Sequence, residues 1–203
     1  MYRNYFKRIF DVVLSLILLF LFLPLKVLIF FLIWFKIGYP IFSQKRPGKN
    51  NQLFTLYKFK TLYDVSKNIS KKKRKNTVGD FLRKTGLDEL PQLINILQNK
   101  MSLIGPRPLL TKYLKIQEFK NHERKTVKPG ITGLAQIGTY DNIYKKKNLK
   151  WKKQFELDKY YAKNLSFKLD LIIIIKTFLI MISFSKKDYH HIKEVKLSKR
   201  DLK

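Results

Sequence analysis

One long run of hydrophobic residues dominates the start of the chain. From Val12 to Phe35 the sequence is VVLSLILLFLFLPLKVLIFFLIWF, which would make about 36 Å of helix, enough to cross a bilayer. Pro24 and Lys26 interrupt the run near its middle, where proline removes a backbone hydrogen bond and a charge inside the bilayer is costly. Cations flank both ends of the run, so neither end is marked as translocated. The pattern favours a re-entrant membrane helix over residues 1–36, kinked at Pro24, over the alternative of a plain spanning helix.

Short elements follow the apolar run. Residues 41–45 and 53–60 predict two strands joined by a Pro-Gly loop. The period of two places Lys58 and Lys60 on one face of the second strand, although an ordinary solvated strand face has the same pattern. Residues 64–76 contain KKKRK and lack a hydrophobic pattern, so a mobile loop is predicted there.

The second half of the chain has the spacing of helices. Apolar residues recur at helical intervals in two segments, namely Leu87, Leu90, Leu93, Ile94 and Leu97, and then Leu110, Tyr113, Leu114 and Phe119. Between them, MSLIGPRPLL predicts a turn that holds Arg107 between two prolines. Residues 128–138, KPGITGLAQIG, predict a loop whose backbone closely approaches another group. Residues 169–184 are apolar on nearly every side but short for a span, and predict a helix in the membrane interface or against the first segment.

Composition restricts the class of partner. The chain has 203 residues, room for one catalytic domain and a short appendage. Its 43 Lys and Arg against 14 Asp and Glu give a formal charge of +29, which points to nucleic acid, an anionic membrane surface or a phosphorylated substrate. Cysteine is absent, which excludes disulfides, thiolate metal sites and a cysteine nucleophile. P-loop, dinucleotide-binding and Gly-x-Ser-x-Gly motifs are also absent from the sequence.

The only two adjacent carboxylates of the sequence, Asp88 and Glu89, lie in KTGLDELPQ. Thr85 precedes Asp88 by three residues, as in a capping box, so a helix cap is one interpretation. The other interpretation is that the two carboxylates take part in a chemical reaction. Nearby cations lower the pKa of a carboxylate, and an ionised pair can hold Mg²⁺ or attack phosphorus. The residues alone leave both interpretations open.

Several motifs in one order resemble a known family. FLRKTGLDELPQLINILQNKMSLIGPRPLL followed by VKPGITGLAQ closely resembles the bacterial sugar transferases called monotopic phosphoglycosyl transferases, especially the small, minimal members of the kind that serves protein N-glycosylation. The likeness runs from FKRIFD near the N-terminus to FELDKYYAKNLSFKLDL. It implies an α/β fold, mostly helical with a small sheet. A re-entrant membrane helix at 1–36 would precede a catalytic domain at 37–184 on the cytoplasmic face of the bacterial inner membrane, with a polar tail at 185–203.

The resemblance also implies an activity. The family transfers a sugar 1-phosphate from a UDP-sugar to undecaprenyl phosphate, a polyprenyl phosphate, and releases UMP in the first membrane step of a glycoconjugate pathway. Asp88 would be the nucleophile of a covalent aspartyl-phosphosugar intermediate. Glu89 would help deprotonate the acceptor or place Mg²⁺, with both carboxylates as metal ligands. The matching phosphate-binding positions are Lys58, Lys60, Arg83 and Arg107.

The resemblance also implies partners, and the chain differs from the family pattern at several positions. Anionic membrane lipids are expected partners, nucleic acid is not, and a homodimer is left open. Leu23 stands where the family often has Ser before Pro24, and Gly86, also a usual Ser, is expected to loosen the acid pair. Tyr140 lies near the place of a family arginine that contacts phosphate, for which Lys145 to Lys147 are candidates. The rival hypotheses are a membrane-tethered nucleic-acid binder and an inactive family member acting as a scaffold.

Overall fold

The computed structural model of the protein describes residues 1–64, 74–138 and 147–182. Residues 65–73 of the predicted mobile loop at 64–76 therefore lie outside the described residues. Tyr140 and the predicted tail at 185–203 lie outside them as well.

The N-terminal apolar run forms two helices. After a single π-helical turn at Tyr2–Phe6, α1 spans Lys7–Leu21 and α2 spans Leu23–Ile37. The two axes bend by 63° at the break. Within the described ranges no single helix is long and apolar enough to cross a membrane, and this bent pair alone reaches that length and composition together. The bend agrees with the predicted kink, while its placement in a membrane stays a prediction.

The break between α1 and α2 has its own hydrogen bonds. Pro24 lies in the first turn of α2, where a helix has no intrahelical partner for its N–H groups and proline is well tolerated. The Lys26 ammonium group donates a hydrogen bond of 2.7 Å to the carbonyl oxygen of Leu19 at the end of α1. Lys26 thus supplies a side-chain hydrogen bond to a backbone carbonyl at the break, which Leu23, with its apolar side chain, cannot do.

Two predicted strands form an antiparallel hairpin. β1 spans Ile41–Pro47 and β2 spans Leu53–Phe59, with Ile41 opposite Phe59. β1 is thus longer than predicted, and β2 ends one residue before Lys60. Phe54 and Leu56 are buried on one face of β2, and the alternation of a strand puts Lys58 next in that row. Lys58 therefore follows two buried residues on the same face of β2 and is itself partly exposed.

The rest of the domain consists of short helices around a second sheet. The α-helices are α3 (Thr77–Thr85), α4 (Gln92–Leu97), α5 (Gln117–Asn121), α6 (Leu134–Gly138), α7 (Lys147–Lys163) and α8 (Phe167–Ile182). Three-residue strands β3 (Ser102–Ile104) and β4 (Gly130–Thr132) pair in parallel. Short 3₁₀ turns occupy Leu87–Glu89, Thr111–Lys115 and Glu123–Thr126. This architecture confirms an α/β fold that is mostly helical.

Three predictions about these elements need correction. The helix predicted over residues 87–97 is divided at Pro91 into a 3₁₀ turn and α4. The helix predicted over residues 110–119 is divided at Ile116, which is extended, into a 3₁₀ turn and α5. The predicted loop at 128–138 contains β4 and α6 instead, and what it approaches is the protein's own backbone. A Cβ atom on Gly130 would lie 2.1 Å from the backbone nitrogen of Gly105, so the start of β4 passes the residue after β3 at a distance only glycine permits.

The α1 helix turns its polar residues inward. Lys7, Asp11 and Ser15 are buried against the domain, whereas Ile9, Val13 and Phe20 are among its exposed residues. Asp11 accepts hydrogen bonds of 3.0 Å from the Ser102 hydroxyl and the Leu103 N–H on β3. A helix with an exposed apolar face and polar contacts to the protein suits a membrane surface.

The α8 helix forms where an apolar C-terminal helix was predicted, and it contacts the first segment, while its placement in a membrane interface stays a prediction. Asp170, which interrupts its apolar sequence, is fully buried. It accepts hydrogen bonds of 2.7 Å from the Lys7 ammonium group and from the hydroxyl groups of Tyr2 and Tyr161. One buried carboxylate thereby joins both ends of the described chain.

Candidate active site

Asp88 and Glu89 lie in the 3₁₀ turn Leu87–Glu89 between α3 and α4. Gly86 begins this turn in the left-handed conformation with φ 73°, which glycine adopts at the lowest cost. The Thr85 hydroxyl donates to the carbonyls of Phe81 and Leu82. Thr85 is the last residue of α3, and the turn that carries the acids begins without a side-chain cap hydrogen bond, so the capping-box interpretation is wrong. Gly86 suits the turn that carries the acids, and this geometry gives no support to the expected loosening.

The Asp88 carboxylate is almost completely buried, with 5% of the residue exposed. Its Oδ2 atom is 3.9 Å from Nζ of Lys58. Burial is the main cause that raises the pKa of Asp88 to about 6, and the neighbouring charge of Glu89 adds to it. The charges of Lys58, Arg107 and Arg83 lower that pKa but are outweighed. The expectation that cations keep the carboxylate pKa low is wrong here, because burial, which the sequence does not display, is the larger effect.

Glu89 is paired with the arginine of the proline turn. The distance from Nη2 of Arg107 to Oε1 of Glu89 is 2.5 Å. The Arg107 side chain is 58% exposed, so its guanidinium group faces outward at the mouth of the site. The predicted phosphate-binding residues Lys58 and Arg107 thus both reach the acid pair, Lys58 at Asp88 and Arg107 at Glu89.

Arg46 is a further cation of the site that the sequence analysis did not assign. It lies near the end of β1 and donates hydrogen bonds to the Pro108 carbonyl at 3.3 Å and to Oε1 of Gln44 at 2.7 Å. Its Nε atom is buried without a hydrogen-bond partner among the described residues. Burial lowers the pKa of Lys58, and the positive charges of Arg107 and Arg46 lower it further. The signal available in the sequence was QKRPG, whose Pro and Gly mark the end of a strand at Arg46.

The other two predicted cations have local partners. Lys60 forms an ion pair with Asp64. Arg83 forms one with Asp80 on its own helix, and its influence on the pKa of Asp88 is weaker than that of Lys58 or Arg107. The structure therefore brings Lys58 and Arg107 to the acid pair, sets Arg83 farther out, and pairs Lys60 elsewhere. Phosphate binding by all four stays a prediction.

The acid pair has the donor chemistry for a magnesium site that includes substrate. Over residues 1–64, 74–138 and 147–182 there is no group of three or more His, Asp or Glu side chains that could hold a metal by itself. Mg²⁺ commonly takes only one or two carboxylates together with substrate phosphates. Asp88 and Glu89 fit that pattern, so Mg²⁺ binding stays a prediction that the site allows.

An apolar groove adjoins the acid pair. It has a volume of about 350 Å³ and runs between α2 and α3. Its lining is Leu25, Leu28, Ile29, Leu32, Thr77, Val78, Phe81, Leu82 and Leu87. Leu87 directly precedes Asp88 in the chain, so the groove extends from the exposed side of α2 to the turn that carries the acids.

Comparison with known proteins identifies the family. Residues 2–184 match the family described as bacterial sugar transferase. An uncharacterized sugar transferase, EpsL of Bacillus subtilis (strain 168), is 42% identical over 179 residues, which are 84% of this chain and 84% of that protein. The exopolysaccharide production protein ExoY of Sinorhizobium fredii is 31% identical over 193 residues, covering 84% of this chain and 83% of that protein. The undecaprenyl-phosphate galactose phosphotransferase of Salmonella typhimurium is 32% identical over 199 residues, covering 86% of this chain but 40% of that protein. The chain belongs to the bacterial sugar transferase family.

Proposed function

We propose that the protein transfers a sugar 1-phosphate from a UDP-sugar to undecaprenyl phosphate and releases UMP. The observation that carries this proposal is the buried Asp88 beside Glu89, with Lys58 at 3.9 Å and Arg107 paired to Glu89. A carboxylate able to attack phosphorus, surrounded by cations able to hold a diphosphate, suits phosphoryl transfer. Related proteins that carry out such a reaction, by their names, support it.

In the donor step Asp88 is the nucleophile. One of its carboxylate oxygens forms a bond to the β-phosphorus of the UDP-sugar, and the bond from that phosphorus to the bridging oxygen breaks. UMP leaves with the electron pair, and an aspartyl-phosphosugar remains. With a pKa of about 6, the Asp88 carboxylate is mostly ionised above about pH 7 and available for attack. Lys58, Arg46 and Arg107 stabilise the negative charge on the phosphates.

In the acceptor step the phosphate of undecaprenyl phosphate attacks the same phosphorus. Its oxygen forms the new bond, and the Asp88 carboxylate leaves with the electron pair. Glu89 holds the proton that the acceptor phosphate gives up. The groove between α2 and α3 receives part of the isoprenoid chain, because its walls are apolar and end at Leu87. One phosphoanhydride replaces another through an acyl phosphate, so positioning and charge stabilisation carry the catalysis.

Asp88 and Glu89 are also the residues that would hold Mg²⁺. The ion, when bound, would neutralise charge on the diphosphate. Mg²⁺ is therefore included in the assay of UMP release.

The proposed place of the enzyme is the cytoplasmic face of the bacterial inner membrane. The bent pair of α1 and α2 would enter one leaflet and return, with its exposed apolar residues in the lipid. The excess of Lys and Arg would favour anionic lipids at that surface.

Release of UMP tests the proposal. Purified protein in lipid nanodiscs would be incubated with Mg²⁺, undecaprenyl phosphate and a panel of UDP-sugars. We expect at least one sugar to yield UMP, and Asp88→Asn to abolish it. Asp64→Asn is the matched control, because it makes the same change at a side chain that is 76% exposed. UMP release by Asp88→Asn at the wild-type rate would contradict the assignment of the nucleophile.

A further inference from the structure

Arg124 is a buried arginine outside the cluster around Asp88. It lies in the 3₁₀ turn Glu123–Thr126, and its side chain is only 11% exposed. One nitrogen, Nη1, is 3.2 Å from Oδ2 of Asp158 on α7, whose side chain is 6% exposed. The Phe155 ring covers one face of the guanidinium group at 5.4 Å. Arg124 is therefore fixed by α7.

The second nitrogen of Arg124 points to the turn that carries Arg107, residues 106–108, here named the Arg107 turn. Nη2 of Arg124 donates a hydrogen bond to the backbone carbonyl of Arg107. A guanidinium group can bind a carboxylate with one nitrogen and a carbonyl with the other in a fixed geometry, which a lysine cannot reproduce. Arg124 thus links α7 to the backbone of the Arg107 turn.

All three carbonyl groups of the Arg107 turn accept a hydrogen bond from a different element. The donors are the Gly130 N–H on β4, the Arg124 side chain and the Arg46 side chain on β1. Two of the three turn residues are prolines without an N–H, so the turn is held mainly through its carbonyls. The exposed Arg107 side chain has its position set by this backbone.

We infer that Arg124, held by Asp158, is a positioning residue that places Arg107 against Glu89 for binding the substrate phosphates. The inference rests on the proposed function, because Arg107 is taken there as a phosphate ligand. Arg124 itself contacts neither Asp88 nor Glu89 in the hydrogen bonds and ion pairs of the described residues, so it acts through the Arg107 turn.

A role in positioning the Arg107 turn explains the buried pair of Arg124 and Asp158 better than a contribution to stability does. Burial raises the pKa of Asp158 to about 6 despite the adjacent arginine. Removing two charges from water offsets much of their attraction, and well-packed apolar residues often serve stability equally well. The bond from Arg124 to the Arg107 carbonyl is what an apolar pair would lack.

A double-mutant cycle separates positioning from general structural support. UMP release would be measured for Arg124→Lys, for Arg107→Ala and for the double variant. We expect Arg124→Lys to lower kcat/KM about tenfold in the wild-type background and less than about twofold once the Arg107 side chain is gone. Equal losses in the two backgrounds would overturn the inference.

Two further variants provide a second test and a control. Asp158→Asn keeps the shape of the pair and removes its charge, and we expect the same dependence on Arg107. Arg8→Lys is the matched control, because Arg8 also donates to backbone carbonyls, those of Ile96 and Leu97 on α4. Its effect should be independent of Arg107.

A second readout does not require enzyme activity. Arg107→Cys introduces a single thiol into a chain without cysteine, and its alkylation rate would be measured with and without Arg124→Lys. We expect Arg124→Lys to change that rate several-fold and Arg8→Lys to leave it unchanged, since reactivity follows the surroundings of the thiol. An unchanged rate with Arg124→Lys would overturn the inference. If wild-type protein released no UMP, the proposed function would fail, while the thiol measurement would still decide the positioning of the turn.

Discussion

Asp88→Asn is expected to stabilise the folded protein at neutral pH while it removes the nucleophile. The carboxylate is 5% exposed, and burial together with Glu89 raises its pKa from 3.8 to about 6. At about 1.4 kcal/mol for each pKa unit, the folded state pays about 3 kcal/mol to ionise this group. The attraction to Lys58 at 3.9 Å is already included in that net shift, so about 3 kcal/mol is the full gain expected when a neutral amide replaces the carboxylate.

The sign of the effect fixes its pH window. At about pH 3 the carboxyl group is protonated in both the folded and the unfolded chain, and its raised pKa changes nothing. As the pH rises from 3.8 to about 6, the unfolded chain releases the proton first, so the folded state loses stability. Above about pH 6 the full cost is present. The variant carries no charge at position 88 and escapes this loss, so its advantage should grow with pH.

Thermal unfolding in nanodiscs without Mg²⁺ measures this difference. At about 2–4 °C for each kcal/mol in a chain of this size, Tm of Asp88→Asn should exceed that of the wild type by up to roughly 10 °C at about pH 8. The excess should shrink toward about pH 4. Asp64→Asn, which makes the same change at a side chain that is 76% exposed, is the control. An equal or lower Tm for Asp88→Asn at about pH 8, or a difference that does not vary with pH, would refute the reasoning.

Three further predictions follow from the same geometry. Wild-type UMP release should fall about tenfold for each pH unit below about pH 6 as Asp88 is protonated, and a pH–rate profile that stays flat to about pH 5 would be inconsistent with this. Arg46→Lys should lower kcat/KM for the UDP-sugar about tenfold, because lysine cannot hold both the Pro108 carbonyl and a phosphate; an unchanged value would remove Arg46 from the site. Lys7→Met should lower the free energy of unfolding by about 3–5 kcal/mol, since it leaves Asp170 buried without its cation. Denaturant unfolding measures that loss, and a change below about 1 kcal/mol would contradict it.

The sequence predicted those elements whose pattern is local. The period of two in the segments around Ile41 and Leu53 is displayed by the residues themselves, and the hairpin formed there. The broken apolar run likewise predicted the bend near Pro24. β3 and β4 were missed because strands of three residues have no detectable period, and Gly130 indicated only close approach, not the partner strand.

The site was predictable to the extent that a motif contained it. Sequence motifs predicted Asp88, Glu89 and Arg107 as site residues, and in the structure the three lie close together. The pKa of Asp88 was predicted with the wrong sign because its burial depends on packing. Arg46 was not assigned because its place at the Arg107 turn depends on the hairpin meeting a segment 62 residues away in the sequence.

The central claim is that Asp88 carries the sugar phosphate during transfer. The most direct measurement is the intact mass of the protein after incubation with Mg²⁺ and a UDP-sugar that supports UMP release, without acceptor, followed by hydroxylamine trapping to locate the acyl phosphate. The account predicts a mass increase of one sugar phosphate per chain, a trapped hydroxamate in the peptide that contains Asp88, and neither product with Asp88→Asn. An adduct that persists in Asp88→Asn, or its absence in wild-type protein that releases UMP, would contradict the account.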